Sequence, residues 1–481
     1  MHPSYASAGV RTDRVCFLVR GALGRAECER TVAEAEGAGF LATGRDYPAS
    51  YRDNARCVRD DAALAAALFE RLRPHLPGRH VDAAGCTWHL HGLNPRFRFC
   101  RYREGQRFCV HQDGAWQPEP HLRTHLTCML YLNDAGQFRG GHTRYYAGRT
   151  EDSELLGTVA PEAGTAIVFD HALWHDGEAV THGTKYVMRT DVLYALEDEA
   201  KCAEDGAGVL AGHRGYVWSV RALRDGWLAT ASRDCTVRLW RPEGGGWTEA
   251  QVLRGHQASV VGLAEDAAGR LWSVSRDRRV LRWEGGEARE VGRLEGAGLC
   301  VAALPDGRVA TGGADGVVAL WTADGQSAGV LRGHTGWVWA LAALTDGRLA
   351  SASEDGTLRV WELVAGSSAV LAAGAPLRAL AVAPGGRLLT GAADGRVARY
   401  SPTLQREGEL QAHAGAVCGL AAGAGLLVSG GEDDRVRIWD AGTLAARGAW
   451  AHGNFVRGVS VLPDGRVASA SYDGCVRVGP A

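Results

Sequence analysis

The chain has 481 residues, which is too long for one ordinary hydrophobic core, so two domains are expected. Its formal net charge of −2 at pH 7 argues against a basic nucleic-acid-binding surface. The N-terminus lacks an apolar run of signal-peptide length, and no later stretch is apolar for long enough to span a bilayer. We therefore expect a cytoplasmic protein that binds neither nucleic acid nor membrane. The 12 cysteines form no Cys-x-x-Cys pair, so the spacing typical of a zinc site is absent.

Two helices are predicted before the first long strands. Residues 25–36 mix polar residues with Ala and Val, as an amphipathic helix does, and Gly37 is predicted to end it. Residues 47–56 are predicted to form a loop with aromatic and basic residues. A second helix is predicted to begin at Asp60-Asp61 and to run through Leu72. Its apolar face is predicted to consist of Leu64, Ala67, Leu68 and Leu72.

A histidine and an aspartate after a predicted hairpin are the first sign of a chemical site. Residues 97–113 predict a strand, a turn at Glu104-Gly105 and a second strand that runs into His111-x-Asp113. Side chains two residues apart in an extended chain point to the same side, so this pair presents an imidazole and a carboxylate to one point. These are two of the three ligands of the facial triad that binds iron(II), which needs two histidines and one carboxylate.

More strands follow, together with candidates for the third ligand. Strands are predicted at 126–132, 143–146, 165–169 and 185–194, a number and spacing that suit a double-sheet jelly roll enclosing a small site. His171 and His175 both follow the third of these strands, and Lys185 lies ten residues after His175.

Five separated elements, in this order, resemble the prolyl-4-hydroxylase-like branch of the iron(II)- and 2-oxoglutarate-dependent dioxygenases. In chain order they are the His-x-Asp pair, the segments Tyr131-Leu-Asn and Gly140-Gly141-His-Thr143, the distal His with a cation ten residues on, and Lys185-Tyr186-Val187. The likeness covers roughly residues 24–197. It implies a mainly β protein whose first domain, residues 1–200, is a double-stranded β-helix (jelly roll) with N-terminal helices.

The resemblance also implies roles for individual residues. His111, Asp113 and His175 would hold Fe(II), with 2-oxoglutarate and O2 as co-substrates and ascorbate as the reductant. Relatives that halogenate lack the carboxylate that Asp113 supplies, so a hydroxylase is implied. Lys185 would pair with the 5-carboxylate of 2-oxoglutarate, and Arg189, four residues on and on the same strand face, is the alternative.

Several assignments stay open at the level of sequence. His171 competes with His175 as the distal ligand, and the ten-residue spacing to Lys185 favours His175. Tyr131 could add a hydroxyl to the 5-carboxylate and Tyr102 could line the pocket, but both could equally be core aromatics. The remaining histidines nearby are predicted to lie in loops or behind the ligands: His121, His125, His142 and His182.

A charged, Gly-rich stretch at residues 198–208 is the predicted linker, and an internal repeat follows it. The repeat is anchored by aspartates 38 to 43 residues apart: Asp234, Asp277, Asp315, Asp355, Asp394, Asp433 and Asp473. In five repeats a Gly-His or Ala-His pair precedes the aspartate by 20 or 21 residues: His213, His256, His334, His413 and His452.

The repeat resembles the WD40 repeat, which implies a seven-bladed β-propeller over residues 207–481. The last repeat ends at its third strand, so residues 209–211 are predicted to supply the fourth strand and close the ring. Repeats three and five have Ala297 and Ala375 where histidine is expected, so a His–Asp hydrogen bond should be missing there. The repeated His and Asp residues are predicted to be structural.

The leading hypothesis is a dioxygenase that hydroxylates a C–H bond of a prolyl or other peptidyl substrate recruited by the propeller. A protein or peptide is therefore the expected partner of the propeller. One alternative is an interaction scaffold with a catalytically silent jelly roll, and another is a dioxygenase acting on a free small molecule. A zinc or manganese enzyme that ignores 2-oxoglutarate is the third.

Overall fold

The chain divides into two units, residues 1–202 and residues 203–481, in the computed structural model. The structure describes residues 6–43, 52–81, 87–116, 121–148, 150–197 and 208–481. All of the predicted linker except Gly208, and residues 47–51 of the predicted loop, lie outside these ranges. The proposed domain limits, 1–200 and 207–481, therefore stay a prediction.

Two α-helices precede the long strands, as predicted, with differences in detail. The first, α1, spans Arg25–Ala38 and ends at Gly39, whose φ of 87° favours glycine. Gly37 lies inside it, so the prediction that this residue ends the helix was wrong. The second, α2, spans Ala62–Leu72, and the Asp61 carboxylate caps it by accepting from the Leu64 amide at 2.9 Å. Neither α-helix of the described ranges is long and apolar enough to cross a membrane.

The apolar face of α2 differs from the predicted one by one residue. Leu68 and Leu72 are buried as predicted, and Leu64 is half-buried. Ala67 is exposed and Ala65 is buried instead, because Ala65 lies three residues before Leu68 and seven before Leu72 and so shares their face of the helix. A 3₁₀ turn, Arg73–His75, continues the chain after α2.

The first unit contains two sheets. Its strands in chain order are β1 Ala6–Ser7, β2 Cys16–Val19, β3 Leu41–Ala42, β4 Ala55–Asp60, β5 Arg79–Val81, β6 Thr87–Leu93, β7 Arg96–Arg103, β8 Phe108–His111, β9 Leu122–Tyr131, β10 Phe138–Gly140, β11 Thr143–Tyr146, β12 Leu155–Val159, β13 Ala166–Asp170, β14 Trp174–Gly177 and β15 Val180–Leu196. The major sheet runs β1-β2-β13-β9-β15-β7-β4-β3, with β10 and β6 also paired to β15, and β5 paired to β6. The minor sheet runs β12-β11-β14-β8. This arrangement confirms the predicted jelly roll with N-terminal helices.

The major sheet has one face against the helices and one against the minor sheet. On β7, Phe97 and Phe99 pack in the same core cluster as Leu68 and Leu72 of α2. The alternate residues of β7 point the other way, and Tyr102 packs between the sheets with Tyr131 and Tyr145. Polar residues on this inner face therefore face the interior of the jelly roll.

The second unit is a ring of seven four-stranded sheets, as predicted. The blades consist of Val217–Ala222, Leu228–Ser232, Thr236–Glu243 and Gly246–Arg254; Val260–Glu265, Leu271–Ser275, Arg279–Glu284 and Glu287–Arg293; Gly298–Ala303, Val309–Gly313, Val318–Trp321 and Ser327–Leu331; Val338–Ala343, Leu349–Ser353, Thr357–Glu362 and Ser367–Ala372; Leu377–Ala383, Arg387–Ala392, Arg396–Tyr400 and Arg406–Gln411; Val417–Gly423, Leu426–Gly431, Arg435–Asp440 and Ala446–Ala451; and Val456–Val461, Val467–Ser471, Val476–Gly479 and Gly208–Leu210. A 3₁₀ turn, Pro384–Gly386, connects two strands of blade five. The first strands of successive blades contact one another around the whole ring.

The ring closes by the predicted exchange of strands between its two ends. Gly208–Leu210 pairs antiparallel with Val476–Gly479, which places Leu210 opposite Val476. The closing strand begins one residue earlier than predicted and ends at Leu210. A sheet edge that would otherwise be open is thus covered by the other end of the same unit.

The repeated histidines hold the blades together through both ring nitrogens. In blade one, His213 Nδ1 donates to Asp234 at 3.0 Å, and its Nε2 hydrogen-bonds the Thr230 hydroxyl at 2.7 Å. Trp240 Nε1 donates to the same hydroxyl at 2.9 Å. The same His–Asp and His–Ser bonds recur at His256, His334, His413 and His452. The prediction that these residues are structural agrees with these contacts.

Candidate metal centre

The minor sheet brings two histidines side by side. His111 ends β8 and His175 lies in β14, and the two residues are direct partners across the strand pair. Their ring centroids are 4.3 Å apart. Asp113 follows two residues after His111, and its backbone amide donates to the carbonyl of His171 at 3.0 Å. Strand pairing thus joins residues that are 64 positions apart in the chain.

The three side chains offer their ligand atoms to one point. The donor atoms of His111, Asp113 and His175 all lie within 4.8 Å of one another, and all three residues are buried. His111 Nε2 is 3.7 Å from Asp113 Oδ1, and His175 Nε2 is 3.6 Å from Asp113 Oδ2. Among the residues that the structure describes, this is the one group of His, Cys, Asp or Glu side chains with such a geometry.

Both rings are fixed in the tautomer that a metal requires. His111 Nδ1 lies 2.8 Å from the Cys109 carbonyl, and His175 Nδ1 lies 3.0 Å from the Leu173 carbonyl. Because a carbonyl only accepts hydrogen bonds, each Nδ1 carries the proton, and each Nε2 keeps its lone pair. Such a bond to the far ring nitrogen also orients a ligand histidine. Cys109, the residue two before His111, takes part through its backbone carbonyl.

The electrostatics favour neutral rings and an ionised carboxylate. Burial lowers the pKa of His111 well below its ordinary value, and the neighbouring His175 lowers it further. Burial likewise lowers the pKa of His175. Burial opposes ionisation of Asp113, but the Arg189 guanidinium and the nearby histidines outweigh it and hold the pKa of this carboxyl below its usual range. These are the protonation states in which the groups bind a cation.

Neighbouring side chains hold Asp113 and His111 in place. The Thr127 hydroxyl donates to Asp113 Oδ2 at 2.6 Å, and Arg189 Nη1 donates to Asp113 Oδ1 at 2.5 Å. The ring of Phe108 stacks on His111 with centroids 3.6 Å apart, and the Arg52 guanidinium lies 4.3 Å from the centre of the Phe108 ring.

Lys185 lies apart from this cluster, and we call its buried surroundings, which include Tyr102 and Tyr131, the ammonium pocket. The lysine is buried on β15, and its ammonium donates to the Gly141 carbonyl at 2.5 Å. The nitrogen is 5.5 Å from the centre of the Tyr102 ring and 5.6 Å from that of Tyr131. The Tyr131 hydroxyl shares a hydrogen bond of 2.7 Å with Thr143. Burial lowers the pKa of Lys185 to about 8 and raises the pKa values of both tyrosines.

Arg189 lies against the carboxylates and away from the ammonium pocket. Besides Asp113, it donates through Nη2 to Asp191 Oδ1 at 3.1 Å. Asp191 is fully buried and also accepts from Arg98 Nη1 at 3.0 Å and from Asn94 Nδ2 at 3.3 Å. Although Lys185 and Arg189 lie on the same strand face, as predicted, they meet different groups.

The other predicted histidines lie outside the cluster. His171 is buried, with its Nε2 3.8 Å from Asp191 Oδ1. His125 is buried and stacks on His80 with centroids 4.2 Å apart. His142 bonds to Glu178 at 2.5 Å, and His182 is exposed.

Some residues of the site were not singled out from the sequence. Thr127 lies on β9, and strand alternation alone could have placed it on the inner face with Tyr131. No sequence signal links Arg52, Asn94, Arg98 or Asp191 to the site, because their contacts depend on the register between strands that are distant in sequence.

Comparisons with known proteins agree with both halves of this description. Residues 97–190 match the profile of the 2OG-Fe(II) oxygenase superfamily, and residues 207–241, 325–362, 404–440 and 448–478 match the WD domain, G-beta repeat. A PKHD-type hydroxylase of Sphingopyxis alaskensis is 32% identical over 100 residues, which is 20% of this chain and 44% of the relative. A ribosome biogenesis protein WDR12 homolog of Anopheles gambiae is 27% identical over 206 residues, which is 38% of this chain and 46% of the relative.

A solved structure supports the fold of the second unit. The WD40 β-propeller domain of Doa1 superposes with a TM-score of 0.52 at 23% identity and covers 56% of this chain and 95% of that one. The chain spans less than half the length of the two curated relatives described above. The chain thus joins a jelly roll that matches the 2OG-Fe(II) oxygenase superfamily over residues 97–190 to a seven-bladed propeller that matches the WD repeat.

Proposed function

We propose that the first unit is an Fe(II)- and 2-oxoglutarate-dependent dioxygenase that hydroxylates a C–H bond of a prolyl or other peptidyl substrate, and that the propeller recruits this substrate. The observation that carries the proposal is the buried convergence of His111, Asp113 and His175, with both Nε2 atoms turned toward the same carboxylate.

The donor set fits non-haem Fe(II). Two imidazole nitrogens and one carboxylate form the facial triad that leaves other metal positions open for a co-substrate and O2. When bound, Fe(II) with 2-oxoglutarate and O2 supplies the oxidation of an unactivated C–H bond, and ascorbate is the expected reductant. The protein contributes the fixed tautomers of His111 and His175 and the hydrogen bond that Thr127 donates to Asp113.

The pocket around Lys185 suits the far carboxylate of 2-oxoglutarate. A buried ammonium is costly without an anionic partner, and Lys185 lies beside a carbonyl and two aromatic rings. In this role Lys185 would bind the 5-carboxylate, Tyr131 would support it through its hydroxyl, and Tyr102 would line the pocket. Arg189 is the weaker candidate for the clamp, because its N–H groups already bond to Asp113 and Asp191.

The peptidyl substrate is supported by the combination of the two units. Relatives of the first unit include PKHD-type hydroxylases, and the second unit is of the WD40 type, which commonly mediates contacts between proteins. A hydroxylase joined to such a module is well suited to a substrate that is itself a protein.

Turnover of 2-oxoglutarate tests the proposal. The purified full chain, supplied with Fe(II), ascorbate and 2-oxoglutarate, should form succinate, whereas the Asp113→Ala variant should not. The His171→Ala variant is the matched control, because His171 is buried nearby but lies outside the cluster. Absence of succinate from the wild-type chain in a metal-loaded state would favour the scaffold alternative.

The substrate is tested separately by capture. Full-length Asp113→Ala protein should retain its partner without modifying it, and the captured proteins should gain the mass of one oxygen atom when wild-type protein is then added. Partners that remain unmodified by an enzyme that turns over 2-oxoglutarate would contradict the peptidyl assignment.

A further inference from the structure

Aromatic and arginine side chains gather at one end of the propeller. They come from two kinds of position, the start of the first strand of a blade and the residue just before a repeat aspartate. We call them the arginine–aromatic patch, and they are Tyr216, Trp218, Arg233, Arg276, Trp339, Arg378, Arg457 and Tyr472. Residues at these two kinds of position take no part in the hydrogen bonds among His, Asp and Ser or Thr that stabilise each blade.

The patch is continuous across the end of the ring. Tyr216 of blade one stacks on Tyr472 of blade seven, with centroids 4.5 Å apart and planes at 6°. Arg457 of blade seven lies 4.9 Å from the centre of the Trp339 ring of blade four. Because blades four and seven are not neighbours in the ring, this contact crosses from one side of the ring to the other.

Each of the four guanidiniums lies over an aromatic ring. Arg233 is 4.9 Å from the centre of the Tyr216 ring, and Arg276 is 4.9 Å from that of Trp218. Arg378 and Arg457 lie 5.0 and 4.9 Å from the centre of the same ring, that of Trp339. A guanidinium held over a ring is pre-positioned, so it loses less conformational freedom when it binds a carboxylate.

The tyrosines of the patch are more exposed than its tryptophans. Tyr216 and Tyr472 are half-buried, whereas Trp218 and Trp339, with 9% and 8% of their surface exposed, are buried. The four arginines of the patch are half-buried. Arginines and large aromatics that are partly exposed together are the residue types that dominate the energetics of protein interfaces.

Two glutamates lie beside the patch, and one of them pairs with a guanidinium. Glu354 accepts from Arg378 Nε at 3.0 Å and Nη2 at 3.1 Å and from Trp339 Nε1 at 2.7 Å. Glu432 lies near enough to Arg378 and Tyr472 to act on their charges.

Asp234 bonds to His213 and to the Arg214 amide. Asp277 bonds in the same way to His256 and to the Gln257 amide. The repeat aspartates are thus engaged by donors within their own blades.

The geometry points to a binding site for an acidic linear segment of a partner protein, whose Asp or Glu side chains pair with Arg233, Arg276 and Arg457. A peptide fits better than a nucleic acid, because Glu354 lies beside the patch and the chain as a whole has a net charge of −2. This inference deepens the proposed recruitment by the propeller, and it does not depend on the oxygenase chemistry of the first unit.

Binding of matched peptides to the full chain tests the inference. The probes are a fluorescent peptide of alternating Glu and Ser, its Gln counterpart, and a single-stranded oligo-dT of similar length. The Glu peptide should bind roughly tenfold or more tightly than the Gln peptide, and the difference should shrink as salt is added. Equal binding of the two peptides, or tighter binding of oligo-dT, would overturn the inference.

Variants locate the binding on the propeller. The double variant Arg233→Gln/Arg276→Gln should bind the Glu peptide roughly tenfold or more weakly. Arg289→Gln, an exposed arginine on the outermost strand of blade two, should bind it as the wild type does. An equal loss in both variants would contradict the site, and thermal unfolding of each variant shows whether the fold is kept.

A selection from a random peptide library gives a second readout that needs no chosen sequence. Peptides retained by the wild-type chain and not by the double variant should be enriched in Asp and Glu. Enrichment in basic or neutral residues would overturn the inference. Succinate formation without added substrate should be the same in the wild type and the double variant, so a failure here is distinct from a failure of the dioxygenase proposal.

Discussion

Histidine and aspartate meet in both units of this protein, but the two units use the pair differently. In the propeller, both ring nitrogens are engaged, as in His213, which bonds to Asp234 and to the Thr230 hydroxyl. In the jelly roll, His111 and His175 donate Nδ1–H to a backbone carbonyl and turn Nε2 toward Asp113 at 3.7 and 3.6 Å. The partner of the second nitrogen therefore separates a structural histidine from a candidate metal ligand.

The same contrast applies to the carboxylates. Asp234 faces one histidine and accepts from the Arg214 amide and the Thr236 hydroxyl, so its own blade satisfies it. Asp113 faces two histidines and the Arg189 guanidinium in a buried pocket. Buried ligand atoms that converge on one point form a site for a cation, whereas polar groups that already satisfy one another by hydrogen bonds do not.

The largest expected effect comes from the only carboxylate of the cluster. Asp113→Ala should abolish succinate formation, because it removes one of three metal ligands and leaves Arg189 and the two histidines without their shared anion. Iron binding should be greatly weakened and the fold kept, as circular dichroism would show. Asp234→Ala is the matched change in the propeller, and it should leave iron content and succinate formation unchanged. Unchanged succinate production by Asp113→Ala would refute the site.

The next effect concerns the ammonium pocket. Lys185→Ala should bind iron normally but need far more 2-oxoglutarate, since losing a charge-assisted pair costs about 1.5–3 kcal/mol, or roughly ten- to a hundredfold in affinity. The apparent constant for 2-oxoglutarate measures it. Arg189→Ala should show a smaller version of the same effect. A normal constant in Lys185→Ala would move the clamp to Arg189.

A propeller histidine should affect stability and not chemistry. His334→Ala removes hydrogen bonds to Asp355 and Ser351 of 2.9 and 2.7 Å and leaves both groups with one partner fewer. The expected loss is about 1–3 kcal/mol in the free energy of unfolding of the propeller, measured with denaturant. Iron content should not change, and the exposed His182→Ala should change neither quantity. Loss of iron in His334→Ala would contradict the distinction between structural histidines in the propeller and metal ligands in the jelly roll.

The smallest predicted effect is a dependence of 2-oxoglutarate binding on pH. Burial lowers the pKa of Lys185 to about 8, so its positive charge fades as the pH rises through that value, and affinity for 2-oxoglutarate should fall. Since the folded pKa lies below the unfolded one, holding the charged lysine costs stability below about pH 8, and this cost should disappear as the pH rises from there toward the ordinary value of 10.5. Calorimetric titration at several pH values measures the affinity. The Lys185→Arg variant should lose the pH dependence, and a persisting dependence would assign it to another group.

Local patterns in the sequence predicted much of this structure. The seven repeats and their resemblance to the WD40 repeat predicted seven blades, and the missing fourth strand of the last repeat predicted closure by residues 209–211, which the structure forms with Gly208–Leu210. The convergence of His111 and Asp113 could be predicted because side chains two residues apart in an extended chain point to the same side. The end of α1 was predicted wrongly at Gly37, which lies inside the helix, because Gly39 supplies the positive φ that ends it.

Contacts that depend on how distant strands pair could not be predicted from local sequence patterns. The resemblance predicted that His175 joins His111 and Asp113, but not that it does so through the pairing of β14 with β8. The contact between Arg189 and Asp113 joins residues 76 positions apart and was not predicted. No local signal fixes such a register. The Asp191 carboxylate, which holds Arg98 and Arg189, was missed for the same reason.

Iron content measured on single histidine variants tests the central claim most directly. The full chain and four variants, His111→Ala, His175→Ala, His171→Ala and His213→Ala, would be loaded with Fe(II) without oxygen, desalted and assayed for iron. We predict that His111→Ala and His175→Ala lose most of their iron, whereas His171→Ala and His213→Ala keep the wild-type content. Retention of iron by His175→Ala together with its loss in His171→Ala would contradict the account.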